Sequence, residues 1–511
     1  MRDLRIGIDV GGTNTDAVLV DDAGGVVSKT KVPTTQDPSE AITSALTAVL
    51  PAETERVARV VLGTTHAVNA ILERRGLRRV AVVRIGAPAT RSVRPLFGWP
   101  EDLRSAVSAG EAVVRGGVEI DGRDVVPLDA DEVAAFLRGV GAGAEAVAIT
   151  GVFSPLDPRQ ELAVAQLAAE ALGPVPVSLG HRIGSLGLLE RENATVLNAA
   201  LGSVIGQVVS GLQVAMADHR LACPAFLAQN DGTPMAVGLA RELPVLTIGS
   251  GPANSVRGAA ALSRLDEAIV VDVGGTSTDV GVLARGFPRE STAGVEMGGV
   301  RTNFRMPDLV SIALGGGSIV GSDGSPGPRS VGAALTTDAL VFGGETPTLT
   351  DAAVAAGRAD LGVAARVGTS RARLLEALRR AEETVADAID RAKTARGDSP
   401  VVLVGGGSVL LPDEVPGASC VHRPEHFEVA NAIGAAIARA AGESDRIVVI
   451  EPGGRDAALE ACTEDARDRA VEAGADPSSL ETVWLEEVPL AYLDVPAVRV
   501  RVKVAGPLRA D

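Results

Sequence analysis

Ile6-Gly-Ile-Asp-Val-Gly-Gly-Thr-Asn-Thr-Asp16 returns, little altered, as Ile269-Val-Val-Asp-Val-Gly-Gly-Thr-Ser-Thr-Asp279. Over the fifteen positions that start at Ile6 and Ile269, eight are identical, and the copies begin 263 residues apart. A solenoid repeats every 20 to 50 residues or so, so two copies at this distance read as a duplicated domain. Each copy has the same local grammar. A short apolar run ends in Asp, a Gly-Gly pair permits a tight turn, and a second β-prone stretch follows, Ala17 to Val20 or Val280 to Leu283. Each is therefore predicted to be a β-hairpin.

That residue order suits phosphate. Glycine has no Cβ, so backbone amides can approach a polyphosphate closely, and a threonine hydroxyl adds a donor. The candidate phosphate contacts are Gly11, Gly12, Thr13 and Asn14 in the first copy and Gly274, Gly275, Thr276 and Ser277 in the second. A carboxylate just ahead of such a turn would repel phosphate unless a cation lay between them. Asp9 and Asp272 thus point to Mg²⁺ held partly through water, and they are the candidate metal and catalytic carboxylates. Asp16 and Asp279 either orient the hairpins or cap their turns through hydrogen bonds.

Other phosphate motifs can be checked against this. No Gly-x-x-x-x-Gly-Lys-[Ser/Thr] occurs, which excludes a P-loop. Gly139-Val-Gly141-Ala-Gly-Ala144 follows an amphipathic helix and precedes a strand, the reverse of the dinucleotide-binding context. Two Gly-Gly-Gly-Ser runs remain, at Gly315 and Gly405. The second, Gly405, Gly406, Gly407 and Ser408, follows the apolar strand Val401 to Val404 and reads as a strand-to-helix turn presenting amides to a ligand, a candidate adenosine site. Gly63-Thr-Thr-His-Ala-Val-Asn69 also follows a predicted strand. Thr64, Thr65, His66 and Asn69 offer polar contacts for a small molecule, as do Gly315, Gly316 and Gly317; capping of a helix by Thr64 or Thr65 is the alternative. Of the five histidines only His66 and His181 stand in a suggestive context.

Two Asp-x-Gly-Gly-Thr hairpins followed by an apolar strand and Gly-Gly-Gly-Ser resemble the actin, Hsp70 and sugar-kinase superfamily. Within it, the chain resembles the hydantoinase A/5-oxoprolinase family over nearly its whole length. The resemblance rests on GIDVGGTNTDAVLV at the start, GTTHAVNAILERRG from Gly63, LLERENATVLNAAL from Leu188, PVLTIGSGPANSVRGA from Pro244, VDVGGTSTDVGVL from Val271, GGGSI from Gly315 and the PTLTDA run from Pro347. It implies two ribonuclease H-like domains flanking an ATP-Mg²⁺ cleft. It also implies transfer of the γ-phosphoryl group to the carbonyl oxygen of a small cyclic amide such as 5-oxoproline or a hydantoin, and a hydantoinase B-type or other partner subunit. Larger members place His before Gly-Thr-Thr, where this chain has Leu62, and the chain is shorter than the usual A subunit. A small-molecule kinase, an ATP-dependent carboxylase subunit and a nonenzymatic nucleotide switch on the same fold are the alternatives.

Composition sets the outer bounds. The 511 residues are 46% hydrophobic and 22% charged, with a formal charge of −17 and only 2% aromatic residues. An acidic chain poor in rings is a weak candidate for nucleic acid or anionic lipid. The start, MRDLRIGIDVGG, has no signal-peptide apolar stretch, and no uninterrupted apolar run approaches the ~18 residues of a spanning helix, so a cytoplasmic location is expected. Cys223, Cys420 and Cys462 are distant from one another and are expected to be buried thiols.

The alternation of strands near 4–9, 16–21, 25–32, 57–63 and 79–84 with helices near 38–50 and 65–75 is that of an α/β fold. Three units are expected: 1–187, a first half with an inserted subdomain; 188–445, a second half led by a long amphipathic helix; and 446–511, a small α+β appendage. Residues 286–350 are expected to be long loops over the cleft. A homo-oligomer is a further possible assembly.

Overall fold

A computed structural model of the chain describes residues 3–35, 38–120, 122–184, 187–291, 294–304, 306–450, 454–490 and 496–509. The repeated stretches set the two central sheets. In the first, β1 (Leu4–Val10), β2 (Asn14–Asp21) and β3 (Val26–Pro33) form an antiparallel meander. After helix α1 (Pro38–Val49), β4 (Val57–Thr64) returns parallel to β1, and helix α2 (His66–Glu73) follows it. β1 and β4 are almost entirely buried, as strands covered on both faces must be, whereas β3 alternates buried and exposed positions at the sheet edge.

An inserted layer interrupts this half. β5 (Val80–Ala87), β6 (Ser108–Arg115), β7 (Ala146–Gly151) and β8 (Val177–Leu179) make a parallel sheet in the order β6-β5-β7-β8, with helices α3 (Ala130–Val140) and α4 (Arg159–Leu172) packed against it. The strand expected near 79–84 is β5, and it belongs to this layer, not to the first sheet. Arg84 on β5 is fully buried and clasps Glu192 through two 2.6 Å hydrogen bonds. Glu192 lies on α5 (Leu188–Asp218), whose residues from Arg191 to Leu201 are all buried. By length and apolar content α5 alone among the described residues could cross a membrane, and here it is a core helix. The first sheet then gains β9 (Ala225–Ala228), parallel to β4, and β10 (Pro234–Ala236). Its last strands therefore lie beyond the division expected at 187/188.

Helix α6 (Ser250–Ser263) leads to the second sheet: β11 (Ala268–Val273), β12 (Thr278–Ala284), the short β13 (Phe287–Pro288) and β14 (Leu309–Ile312). After the amphipathic helix α7 (Arg371–Ala392) come β15 (Ser399–Val404) and β16 (Ala418–His422). The order β13-β12-β11-β15-β16, with β14 also on β12, repeats the first sheet: antiparallel neighbours on one side of the central strand and parallel ones on the other. The fold is a duplicated ribonuclease H-like α/β architecture. The 286–350 stretch is not all loop. It contains paired short strands and the helix Leu349–Ala355, which Thr348 and Asp351 start with a capping box. Strands of two to five residues are too short to leave a period in the sequence.

Helix α8 (Ala430–Ile437) follows the second sheet but packs on the first, against Val18 and Val20. Helix α6 precedes the second sheet and packs on it, against Val270, Leu283 and Val402. The two helices touch. A methyl group on Gly258 would collide with the Ala430 carbonyl, and one on Gly434 with the Asn254 carbonyl, so only glycine permits this crossing. The appendage is a three-stranded antiparallel sheet, β17 (Ala440–Val449), β19 (Ala497–Gly506) and β18 (Glu481–Pro489), covered by α9 (Arg455–Glu472). Its first strand starts six residues before the expected 446, because Ala440 and Ala441 are buried in the ladder with β19. Of the three thiols only Cys462 is buried; Cys223 is half-buried, and Cys420 is exposed on edge strand β16.

Candidate functional site

The two repeats are hairpins in one register. Asp9 faces Asp16 and Val10 faces Thr15 across β1–β2; Asp272 faces Asp279 and Val273 faces Thr278 across β11–β12. The Gly11 N–H donates to the Asn14 carbonyl at 3.0 Å and the Gly274 N–H to the Ser277 carbonyl at 2.9 Å, closing the same turn twice. The tips meet, because a methyl group built on Gly275 would lie 3.9 Å from Thr13 Oγ1. The amides of Gly12, Thr13, Gly275 and Thr276 have no hydrogen-bond partner among the described residues, which leaves donors on both tips for an anion.

Behind the tips lie the carboxylates. Asp9 is 3% exposed, and burial, then the charge of Asp16, then that of Asp272 push its pKa up to about 7. Burial raises Asp279 to about 6, with Asp272 adding to it and a hydrogen bond from Ser311 opposing. Asp16 and Asp272 are also raised, chiefly by burial, and Lys31 pairs with Asp16. The influence of Asp272 on Asp9 places acids from both halves in one electrostatic field. The central helices steady them crosswise. Asn431 Nδ2, on α8, donates to Asp9 Oδ2 at 2.8 Å, and Ser255 Oγ, on α6, donates to Asp272 Oδ2 at 2.5 Å.

A divalent cation fits this arrangement. Among the described residues, Asp9 Oδ1 is buried without a hydrogen-bond partner, and so are both polar atoms of Asn254 beside it. An ion bound to Asp9 and Asp272 would satisfy that oxygen and offset the repulsion that raises Asp9. No group of three or more His, Cys, Asp or Glu able to hold a metal occurs among the described residues. The remaining ligands would be water and phosphate oxygens, which is the habit of Mg²⁺.

The other candidate residues divide. The Thr65 N–H and Oγ1 both donate to the Val10 carbonyl, at 3.0 and 3.2 Å, and Asn69 Nδ2 lies 3.9 Å from where a Gly12 Cβ would be, so both border the first tip. Thr64 is structural: its Oγ1 accepts from the His66 amide at 3.2 Å and bonds His66 Nδ1 at 2.7 Å, and its backbone is held by Ser250. Burial lowers the His66 pKa, which favours the neutral ring. Gly315, Gly316 and Gly317 do not present amides to a ligand. Their N–H groups donate to Ser318 Oγ, the Gly274 carbonyl and the Gly275 carbonyl, at 2.9, 3.0 and 2.7 Å, so this run braces the second hairpin.

Gly405 to Ser408 leave β15 beside Asp272, where the register sets Asp272 against Val404. Gly405 has φ +81°, and a 3₁₀ turn follows. The amides of Gly406 and Gly407 have no partner among the described residues, but the Ser408 side chain is buried and accepts from Arg423 at 3.2 Å. Sequence reasoning missed Asn431, Asn254, Ser255 and Lys31. It also missed that Gly63 is the counterpart of Gly405: a methyl on either would collide with the aspartate of its own half. A second, fainter repeat, Val60-Val-Leu-Gly63 against Val402-Leu-Val-Gly405, carries that signal.

Two matched hairpin sheets closing on one acid-lined cleft define the actin, Hsp70 and sugar-kinase class of ATPase fold. The structure aligns with that of the ATP-dependent caprolactamase from Pseudomonas jessenii with a TM-score of 0.76, at 22% identity over 99% of this chain and 88% of that one. Nucleotide-free acetone carboxylase gives 0.69 at 17% identity, with the same coverage. The chain belongs to the hydantoinase/oxoprolinase family: its residues 5–172 match the hydantoinase/oxoprolinase N-terminal region and residues 191–363 match hydantoinase/oxoprolinase. Among curated relatives, caprolactamase subunit alpha of Pseudomonas jessenii is 29% identical over 383 residues, covering 70% of this chain and 55% of its own length. The acetophenone carboxylase gamma subunit of Aromatoleum aromaticum is 28% identical, covering 69% of this chain and 53% of its own length. The chain thus spans about half the length of these relatives.

Proposed function

We propose that the protein is an ATP-dependent enzyme that activates the carbonyl of a cyclic amide, a lactam or hydantoin, and thereby opens its ring. The observation that carries this reading is the meeting of the two hairpin tips, with open amides in front and coupled carboxylates behind. The Gly12, Thr13, Gly275 and Thr276 amides would cradle the triphosphate, and Gly405 to Gly407 would border the adenosine. Mg²⁺ on Asp9 and Asp272 would neutralise phosphate charge.

Amide resonance makes a lactam carbon a poor electrophile. Transfer of the γ-phosphoryl group to the carbonyl oxygen, with ADP departing, yields an imidate phosphate that water can attack. Collapse with C–N cleavage leaves an amine and an acyl phosphate, whose hydrolysis gives the carboxylate. Without the ion, burial and its acidic neighbours raise Asp9 to about 7; with Mg²⁺ bound, Asp9 would serve by holding the ion. As relatives are named as subunits, a second polypeptide is expected to complete turnover. A carboxylase subunit is the second reading, favoured by the acetophenone carboxylase relative.

The test is ADP and phosphate release with a panel of cyclic amides, with and without a B-type subunit, alongside stabilisation by Mg-ATP. At ~100 times its dissociation constant, Mg-ATP adds ~2.7 kcal/mol to a one-site protein. Cyclic-amide-dependent ADP formation with an amino-acid product supports the proposal. Turnover that needs bicarbonate favours the carboxylase, and no shift with millimolar Mg-ATP refutes both.

A further inference from the structure

Helix α2 starts beside the first hairpin tip, and two consecutive threonines decide what it shows there. The Thr65 hydroxyl donates to the Val10 carbonyl at 3.2 Å, so toward Asn69 its oxygen accepts, and Asn69 Nδ2 donates to it at 3.4 Å. That orients the carboxamide and leaves Asn69 Oδ1 as an acceptor. Thr64 is 1% exposed, and its Oγ1 already accepts the His66 amide at 3.2 Å. The one other contact of that hydroxyl among the described residues is His66 Nδ1, at 2.7 Å. A buried hydroxyl proton without an acceptor is costly, so Thr64 donates to Nδ1. A neutral imidazole that accepts at Nδ1 carries its proton on Nε2, and burial, by lowering the pKa of His66, keeps the ring neutral.

His66 and Asn69 are three residues apart and so neighbours on one face of the helix. His66 Nε2 and Asn69 Oδ1 have no hydrogen-bond partner among the described residues, and neither is sealed from solvent. Asn69 Nδ2 is 3.9 Å from where a Gly12 Cβ would be, and Thr65 Cγ2 is 3.8 Å from where a Gly251 Cβ would be. This part of α2 therefore borders both the first tip and the start of α6. It offers one N–H donor and one carbonyl acceptor, both uncharged. A phosphate or carboxylate, which only accepts, has no use for Oδ1. A ring holds its amide cis, which sets C=O and N–H on one edge, and that edge uses both groups.

We propose that His66 and Asn69 bind the edge of a cyclic amide beside the first hairpin tip, its carbonyl accepting from His66 Nε2 and its N–H donating to Asn69 Oδ1. This rests on the function proposed above and names the atoms that select its substrate. A carbonyl oxygen has two lone pairs. One taken by His66 leaves the other free to meet a phosphoryl group held at the Gly12 and Thr13 amides. Donation of the amide N–H to Asn69 also raises the electron density on that oxygen.

The test uses the full chain with ¹⁵N-labelled histidine, whose ring nitrogens report the tautomer. The His66 signals, assigned by their loss in His66→Gln, should show the proton on Nε2 and shift saturably with δ-valerolactam, measured with Mg-ADP and without nucleotide. Calorimetry should give about tenfold weaker binding of δ-valerolactam to His66→Phe and to Asn69→Leu, the loss of one hydrogen bond, and an equal loss when wild type meets N-methyl-δ-valerolactam. His66→Gln, which still presents an N–H, should bind as wild type does. δ-Valerolactone has no N–H and should bind wild type and Asn69→Leu equally, which a merely structural Asn69 would not produce. Thermal melts identify any variant that fails to fold, and the comparison of the two lactams needs no variant.

A proton on Nδ1, no saturable shift in either condition, or equal affinity for the two lactams would overturn the inference. So would lactone binding weakened as much as lactam binding in Asn69→Leu, or a His66 shift that Mg-ADP produces and the lactam leaves unchanged. If the lactam binds with the expected pattern while no cyclic amide stimulates ATP turnover, the proposed function falls and the site stands. Stimulated turnover that is unchanged in folded His66→Phe and Asn69→Leu overturns the site alone.

Discussion

Replacing Asp9 by asparagine should stabilise the folded chain at neutral and alkaline pH while abolishing nucleotide-dependent activity. Asp9 titrates near 3.8 when unfolded and near 7 when folded, because burial and then the charges of Asp16 and Asp272 disfavour its ionised form. Between those values the folded chain keeps a proton that the unfolded chain has released, so stability falls as pH rises from about 4 to about 7 and stays low above that. A gap of about three pKa units at ~1.36 kcal/mol each makes the loss roughly 4 kcal/mol. Asparagine never pays this penalty, and its side-chain oxygen can still accept from Asn431. The variant should match wild type near pH 4 and exceed it by up to roughly that amount at pH 8. Paired urea unfolding curves across this range make the comparison, and the difference between variant and wild type removes groups common to both. Parallel pH profiles, or a variant less stable than wild type at pH 8, would refute the claim that Asp9 is held charged at a cost. ATP turnover by the same variant separates a functional carboxylate from a merely strained one.

Gly434→Val would drive its side chain into the Asn254 carbonyl and part α6 from α8. Overpacking of this kind costs ~1–3 kcal/mol or more, and a melting temperature lowered by less than about 2 °C would contradict the glycine argument. Glu192→Gln leaves Arg84 buried without its countercharge. Chemical denaturation should show a loss of ~3–5 kcal/mol, and replacing both partners with apolar residues should recover much of it.

The sequence was most legible where one residue order does one job twice. Asp-x-Gly-Gly-Thr located both hairpins because the turn needs those residue types locally, and the buried runs of β1, β4 and β15 gave the strands around them. The residues that hold the carboxylates were hidden for the opposite reason. Asn431 lies 422 positions from Asp9, on a helix otherwise of alanine, isoleucine and glycine with no polar motif, and only the packing of α8 on the other half's sheet brings them together. Gly315 to Gly317 misled because a glycine run reads the same whether its amides await a ligand or are already bonded to Gly274 and Gly275. The insertion was underestimated because β6, all but one of whose residues are at least partly exposed, shows little of the apolar pattern that marks a covered strand.

The swapped placement of α6 and α8 also bears on heredity and engineering. Whatever ancestral unit was doubled, its descendants no longer work as interchangeable modules: cut between α6 and β11, and each fragment loses the amide or hydroxyl that steadies its own acid. Recombination or split-protein designs that break the chain between Ser255 and Asp272 would therefore have to restore both contacts by reassembly, whereas a break between Asp272 and Asn431 separates only Asn431 from Asp9. A substitution in the tail-side helix should be felt first at the opposite end of the gene product.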